Sequence, residues 1–293
     1  MATAQVNGVE LHYEIIGEGE PLLAIMGLGA QMLLWPDDFC RALASRGFQV
    51  IRFDNRDIGL STKTPGPPPT TRSLLQAMAT RSPTKATYRL ADMGDDAAAL
   101  LGHLGIDRAH IVGASMGGMI AQQLTIDHPQ RVRSLCSIMS NTGDRTHGLT
   151  KPMLLWRSRK LAFGAPPAEV DERIRRGVEF NRLISGPRFD EAALTAIVRA
   201  QCERSDDTIG TAHQMLAIAA SPARNKALGG VTAPTLVVHG MVDPLVLPSG
   251  GRTTATCVPN AQLLMFPDMG HDLPRNRWPE IVEAMWDNAH RAC

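Results

Sequence analysis

The sequence predicts an α/β fold: a mostly parallel, doubly wound sheet with antiparallel strands at its N-terminal end and an inserted helical cap. Three observations predict it. Short β-like runs alternate with helical patterns from residue 21 onward, which is the signature of parallel strands joined by crossover helices. The first sixteen residues instead form two strand-like runs joined at Asn7-Gly8, a short antiparallel hairpin signal. Residues 145–225 break the alternation and carry helical patterns only, rich in Arg, Ala, Leu and Met.

The elements follow in order. Residues 9–16 (VELHYEII) alternate like a half-buried strand, and 3–7 pair with them. Pro21 to Met26 is a buried-strand run ending in the loop Gly27-Leu28-Gly29-Ala30. A helix fits 36–46, with Asp37 or Asp38 in its first turn and Gly47 stopping it. Gln49 to Phe53 reads as a strand, Asp92 to Leu104 as a helix, and His110 to Ala114 as another strand. A helix over 116–128 and a strand over 132–139 come next. After the helical stretch, 234–240 and 261–266 read as strands, with helices near 247–257 and 278–291. Residues 62–88, with Pro65, Pro67, Pro68 and Pro69 among several Thr and Ser, read as a flexible irregular loop. The expected organisation is a core of residues 1–144 and 226–293, with 145–225 as a helical cap over the sheet's carboxyl edge. Open α/β sheets bind their ligands at that edge.

Composition narrows the function classes. A chain of 293 residues with 44% apolar content can bury a large core. Its 30 basic and 29 acidic residues are spread evenly, which argues against nucleic acid or a charged membrane surface as a partner. No apolar run approaches the length of a membrane span, and the N-terminus lacks the pattern of a secretory signal. The five cysteines (Cys40, Cys136, Cys202, Cys257 and Cys293) are odd in number and scattered, which favours a reducing, cytoplasmic setting over a disulfide framework. No clustered Cys/His or H-x-x-x-H pattern supports a metal, and no cofactor is expected.

The chemistry is concentrated in one phrase. Ile111 to Ala114 leads into Gly113-Ala114-Ser115-Met116-Gly117, a G-x-S-x-G pattern between a strand and a helix. Such a turn is so sharp that only small flanking residues fit, and it lifts the hydroxyl above the sheet. By itself the pattern is weak, because a Gly-rich loop can carry it. A hydroxyl needs a base to become a nucleophile, and the base needs an orienting acid, in the chain order Ser, Asp/Glu, His. Two later loops supply both. Asp243 follows the strand over 234–240, and His271 follows the strand over 261–266. Carboxyl-end loops of neighbouring parallel strands converge on one rim.

The expected roles are Ser115 as nucleophile, His271 as general base and acid, and Asp243 as its orienting carboxylate. The backbone N–H groups of Met116 and Leu28 are the expected oxyanion donors, with Gly27 and Gly29 letting the backbone approach a ligand. Asp144 is an alternative acid. Asp268 and Asp272 flank His271 too closely for that role and read as solvated loop carboxylates. His239 reads as packed within the rim.

The motifs GASMGG, HGMVDP and GHDLP, in this order, resemble those of the α/β-hydrolase superfamily, and the likeness runs from about residue 9 to 290. Phe53-Asp54-Asn55-Arg56-Asp57-Ile58-Gly59-Leu60-Ser61 is similar to the loop that family places after its fourth strand. Together with Ile25 to Ala30 and Trp35-Pro36, it resembles the branch of aclacinomycin methylesterase and related actinobacterial carboxylesterases. Met26-Gly27 replaces the His-Gly of many relatives, and Arg56-Asp57 replaces their Arg-Gly. The second change places an extra carboxylate, Asp57, near the site entrance. The resemblance implies a cofactor-free serine esterase of the 3.1.1 type.

The expected substrate is a medium-sized, largely apolar carboxylic ester, with Met153, Leu154 and Trp156 of the cap as candidate contacts. The same triad also serves hydrolysis of a C–C bond, a lactone or a thioester, and perhydrolysis. A triad-retaining ligand receptor with little turnover is the alternative from another class.

Overall fold

Strand-like runs separated by amphipathic helices assemble into one sheet whose inner strands bury both of their faces. The computed structural model describes residues 2–66, 69–80, 86–163, 167, 169–205 and 210–291. The strands are β1 (Ala2–Val6), β2 (Val9–Ile16), β3 (Glu20–Ile25), β4 (Phe48–Phe53), β5 (Ala109–Ala114), β6 (Val132–Ile138), β7 (Thr235–Gly240) and β8 (Gln262–Phe266). They form an eight-stranded sheet in the order β1-β2-β4-β3-β5-β6-β7-β8. β1 pairs antiparallel with β2, and β2 antiparallel with β4. Every pairing from β4 through β8 is parallel.

Side-chain alternation in β3 explains the double winding. Leu23 and Ile25 join one apolar cluster with α3 (Leu90–His103) and α4 (Met116–Asp127). Leu22 and Ala24 join the opposite cluster with α1 (Asp37–Ser45) and α11 (Trp278–Ala289). β3 lies between β4 and β5, so the chain leaves it on one side and returns on the other. The loops after β3 and β5 therefore open a crevice at the carboxyl edge, the switch point where such sheets bind ligands.

Between β6 and β7 lie α5 (Pro152–Phe163), α6 (Val170–Ile184), α7 (Glu191–Arg204), α8 (Gly210–Ala220) and α9 (Asn225–Leu228). The expected irregular loop over 62–88 is corrected by α2 (Thr71–Thr80). Its start is fixed just after Pro69, where the Ser73 N–H donates to Thr70 Oγ1 at 3.2 Å. Its Leu74 and Ala77, three apart on one face, pack against Leu216 and Ala219 of α8. Helical spacing thus overrides the breaker-rich approach. Pro67, Pro68 and residues 81–85 lie outside the described residues, as does Cys293. Cys40, Cys136, Cys202 and Cys257 are unpaired thiols. Among the described residues, no helix is long and apolar enough to cross a membrane.

Candidate active site

The turn between β5 and α4 is built by contacts that leave no room for side chains. A methyl group on Gly113 would fall 2.1 Å from the Gly117 carbonyl oxygen, and one on Gly117 would fall 2.0 Å from that of Ile25. Strand, turn, helix and the neighbouring β3 are thereby pressed together. Ser115 absorbs the bend with φ 56° and ψ −120°. A non-glycine residue held there costs about 1–3 kcal/mol and persists only where its surroundings fix it. Here the Ser115 N–H donates to the Ile138 carbonyl at 2.9 Å, and Ser140 Oγ donates to the Ser115 carbonyl at 2.8 Å.

The side chains predicted from the sequence come together. Ser115 Oγ lies 2.9 Å from His271 Nε2, and His271 Nδ1 lies 2.8 Å from Asp243 Oδ2. Asp243 is fully buried. Its Oδ1 accepts the backbone N–H groups of Leu245 and Val246 at 2.8 and 2.9 Å, leaving Oδ2 to the imidazole. Burial by itself would raise the Asp243 pKa, but the His271 charge and hydrogen bonds from His239 and His271 outweigh it and hold the carboxyl at about 2.

His239 is packed within the rim, as its position predicts. Its Nε2 lies 2.8 Å from the Val246 carbonyl. A carbonyl only accepts, so this contact places the proton on Nε2. His239 thus braces the loop that carries Asp243.

The loop after β3 lies against the serine. A methyl group on Gly27 would sit 3.1 Å from Ser115 Cβ and 3.6 Å from its Oγ. The Ala30 N–H reaches the Gly27 carbonyl at 3.3 Å, and Gly29 has φ 68°. A turn with positive φ at its third residue belongs to the type II class. Its second residue is Leu28. Met116 is the first residue of α4, where backbone N–H groups have no partner within the helix.

Three expectations are corrected. Asp57 is buried rather than placed at the entrance. It accepts the Tyr88 hydroxyl at 2.6 Å and the Thr64 hydroxyl at 2.9 Å, and also the Thr64 N–H. Burial beside this carboxylate pushes the Tyr88 phenol far up, keeping it a donor. Asp272 is half-buried rather than solvated. One of its oxygens accepts the N–H groups of Gly186 and Gly270 at 3.1 and 2.9 Å. The alternative acid Asp144 bonds Thr146 and Asn225 instead of the imidazole.

Asp268 pairs with Arg277 at 2.9 Å, as a loop carboxylate. Of the candidate substrate contacts on α5, Leu154 is buried, whereas Met153 and Trp156 are 65% and 61% exposed. Among the described residues, no group of three His, Cys, Asp or Glu side chains could hold a metal ion.

The inserted helices touch the rim at points that carry no motif. The His271 N–H donates to the Ile184 carbonyl at the end of α6, at 2.8 Å. Gln214 Oε1 of α8 accepts the Gly29 N–H, and its Nε2 donates to the Arg56 carbonyl, both at 2.9 Å. Arg204 of α7 donates to Asp54 and Gln31. An isolated Gln or Arg inside a helical pattern gives no sign of such reach.

A family model described as the alpha/beta hydrolase fold matches residues 20–274. The chain is 28% identical over 287 residues to rhodomycin D methylesterase of Streptomyces sp. (strain C5), covering 91% of this chain and 90% of that protein. It is also 28% identical over 299 residues to rhodomycin D methylesterase of Streptomyces peucetius, covering 94% and 93%. The crystal structure of the enol-lactonase from Burkholderia xenovorans LB400 matches the fold with a TM-score of 0.72 at 23% identity, covering 99% of this chain and 100% of that one.

Proposed function

The chain belongs to the alpha/beta hydrolase family, and from that premise we propose that it is a cofactor-free serine hydrolase cleaving a carboxylic ester through an acyl-enzyme on Ser115. The observation that carries this reading is the continuous chain Ser115 Oγ, His271, Asp243, at 2.9 and 2.8 Å. Both distances lie within hydrogen-bond reach for nucleophile, base and orienting acid.

Ser115 Oγ attacks the ester carbonyl carbon while His271 Nε2 takes its proton. Asp243, ionised and desolvated, stabilises the imidazolium through Nδ1–H. The carbonyl oxygen becomes an oxyanion between the N–H groups of Leu28 and Met116. Each such donor is worth about 2.7–4 kcal/mol when removed from comparable sites. The imidazolium then protonates the leaving alcohol, and the acyl group stays on Ser115. Water, deprotonated by His271, attacks that acyl carbon and releases the acid. The net change is ester plus water to acid plus alcohol.

Residues 145–225 act as a cap over this rim. The apolar part of a medium-sized substrate would lie beneath it, with Met153, Leu154 and Trp156 as candidate contacts. Two relatives are methylesterases by name, which favours a methyl ester with a small leaving alcohol.

A fluorophosphonate probe followed by peptide mass spectrometry tests the nucleophile. Labelling of Ser115, together with turnover of p-nitrophenyl or methyl esters, is expected. Labelling elsewhere would overturn the assignment. Labelling of Ser115 with no turnover across a graded ester panel would move the protein to the receptor reading.

A further inference from the structure

The donor at Leu28 sits in a turn that something must hold. Gly27 to Ala30 closes with one weak internal bond of 3.3 Å. In such turns the central peptide, here joining Leu28 to Gly29, can rotate between the type I and type II arrangements, which share their end positions. Rotation would turn over the Leu28 carbonyl and the Gly29 N–H and pull on the adjoining Gly27–Leu28 peptide, whose N–H is the proposed donor. One side chain opposes it. Gln214 is completely buried, and its Oε1 accepts the N–H of that same central peptide at 2.9 Å. Its Nε2 is anchored in turn on the Arg56 carbonyl, in the loop after β4.

The helix bearing Gln214 is seated against both loops. A methyl group on Gly29 would fall 2.8 Å from Thr211 Oγ1, and one on Gly210 would fall 1.8 Å from the Asp57 carbonyl oxygen. α8 therefore meets the turn and the β4 loop with no gap, and Gln214 supplies the polar bonds across the contact.

We propose that Gln214 is a positioning residue for the reaction: from the inserted helices it fixes the 27–30 turn and so aims the Leu28 N–H at the developing oxyanion. The inference rests on the serine-hydrolase reading above. It ties hydrolytic rate to the seating of α8, a coupling that the catalytic motifs do not contain.

Gln214→Met, close in shape but unable to accept or donate these bonds, is the test. A donor displaced by about 1 Å costs on the order of 10²-fold in rate. The expected result is a kcat about 10²-fold lower on short p-nitrophenyl esters, with KM within about threefold of wild type. Affinity for an aryl trifluoromethyl ketone, which forms a tetrahedral adduct, should fall in parallel with kcat. A folded Gln214→Met variant with kcat within about twofold of wild type would overturn the proposal.

Gln214→Glu keeps the test decisive if that variant fails to fold. Its carboxylate still accepts from Gly29 but faces the Arg56 carbonyl without a proton to give. The ratio of its kcat to wild type should rise as pH falls and the carboxyl regains its donor. A ratio flat with pH would overturn the proposal. Ser115→Ala separates the two levels: if that variant keeps its activity, the serine-hydrolase reading fails whatever Gln214 does.

Discussion

Two serine–histidine–carboxylate chains lie on opposite edges of the same sheet. At the carboxyl edge, Ser115, His271 and Asp243 are linked at 2.9 and 2.8 Å. At the amino edge, Ser134 Oγ lies 2.8 Å from His110 Nδ1, and His110 Nε2 lies 3.0 Å from Glu20 Oε2. Residue types and distances nearly match, yet the settings differ in every respect that chemistry needs. Ser134 is buried within β6, directly opposite His110 in the ladder, whereas Ser115 stands on a strained turn. Glu20 is 41% exposed and shared with Arg133 and His290. Asp243 is fully buried, held by two backbone N–H groups, and faced by the imidazoles of His271 and His239. On the proposed reading a hydrogen-bonded triplet is not a nucleophile by itself, and the turn, the desolvated acid and the nearby backbone are what set Ser115 apart from Ser134.

The largest expected effect separates the two serines. Ser115→Ala should lower kcat/KM on p-nitrophenyl esters by about 10⁴-fold or more, since the triad acts as a unit. Ser134→Ala should leave kcat/KM within about twofold, because its hydroxyl meets no substrate. Steady-state kinetics of the two variants side by side check this. Comparable losses in both would break the comparison.

The two carboxylates give the next contrast. Asp243→Asn should cost about 10³–10⁴-fold in kcat, because the amide favours the wrong imidazole tautomer. Glu20→Gln should leave kcat unchanged. The Asp243 carboxyl is held at about 2, below the ordinary 3.8. Its ionised form therefore contributes stability above pH 3.8 that is lost as pH falls toward 2. Acid titration of wild type and Asp243→Asn, followed by circular dichroism, should show the wild type staying folded to lower pH than the variant, which lacks this contribution. Superimposable acid transitions would deny the carboxylate this role.

The contrast also shows what the sequence could carry. Elements built on local periodicity were legible, because alternation and helical spacing need no partner. Ser115, Asp243 and His271 were legible because each follows a strand whose carboxyl end must reach one rim. α2 was hidden behind a proline cluster whose influence ends within a residue of Thr71. Asp57 looked like an entrance carboxylate because nothing local reveals Tyr88, thirty-one positions away, as its partner. Gln214 lay 185 positions from Gly29, and only the packing of α8 joins them. The amino-edge triplet needed the register of β5 against β6, which pattern alone leaves free.

The smallest expected effect concerns His110. Burial lowers its pKa below the ordinary 6.5, even though the Glu20 contact pulls the other way. Between that lowered value and 6.5 the unfolded chain binds more protons than the folded one, so stability rises with pH across this window. It is complete above 6.5 and is lost as pH falls below it. His271 is tied to Asp243 and Ser115 in the proposed active site, whereas His110 is tied to the packing of β3, β5 and β6. Its titration should therefore register in stability and leave turnover untouched. In His110→Gln the fall in Tm from pH 7.5 to 5.5 should be smaller than in wild type, by about 1–3 °C for a chain of this size. Ester hydrolysis at pH 7.5 should stay within about twofold of wild type. An equal fall in Tm, measured by scanning calorimetry at the two pH values, would show that this edge of the sheet does not sense protons. A loss of turnover instead would mean that the two edges are coupled through β5, the strand that carries His110 at one end and leads into Ser115 at the other.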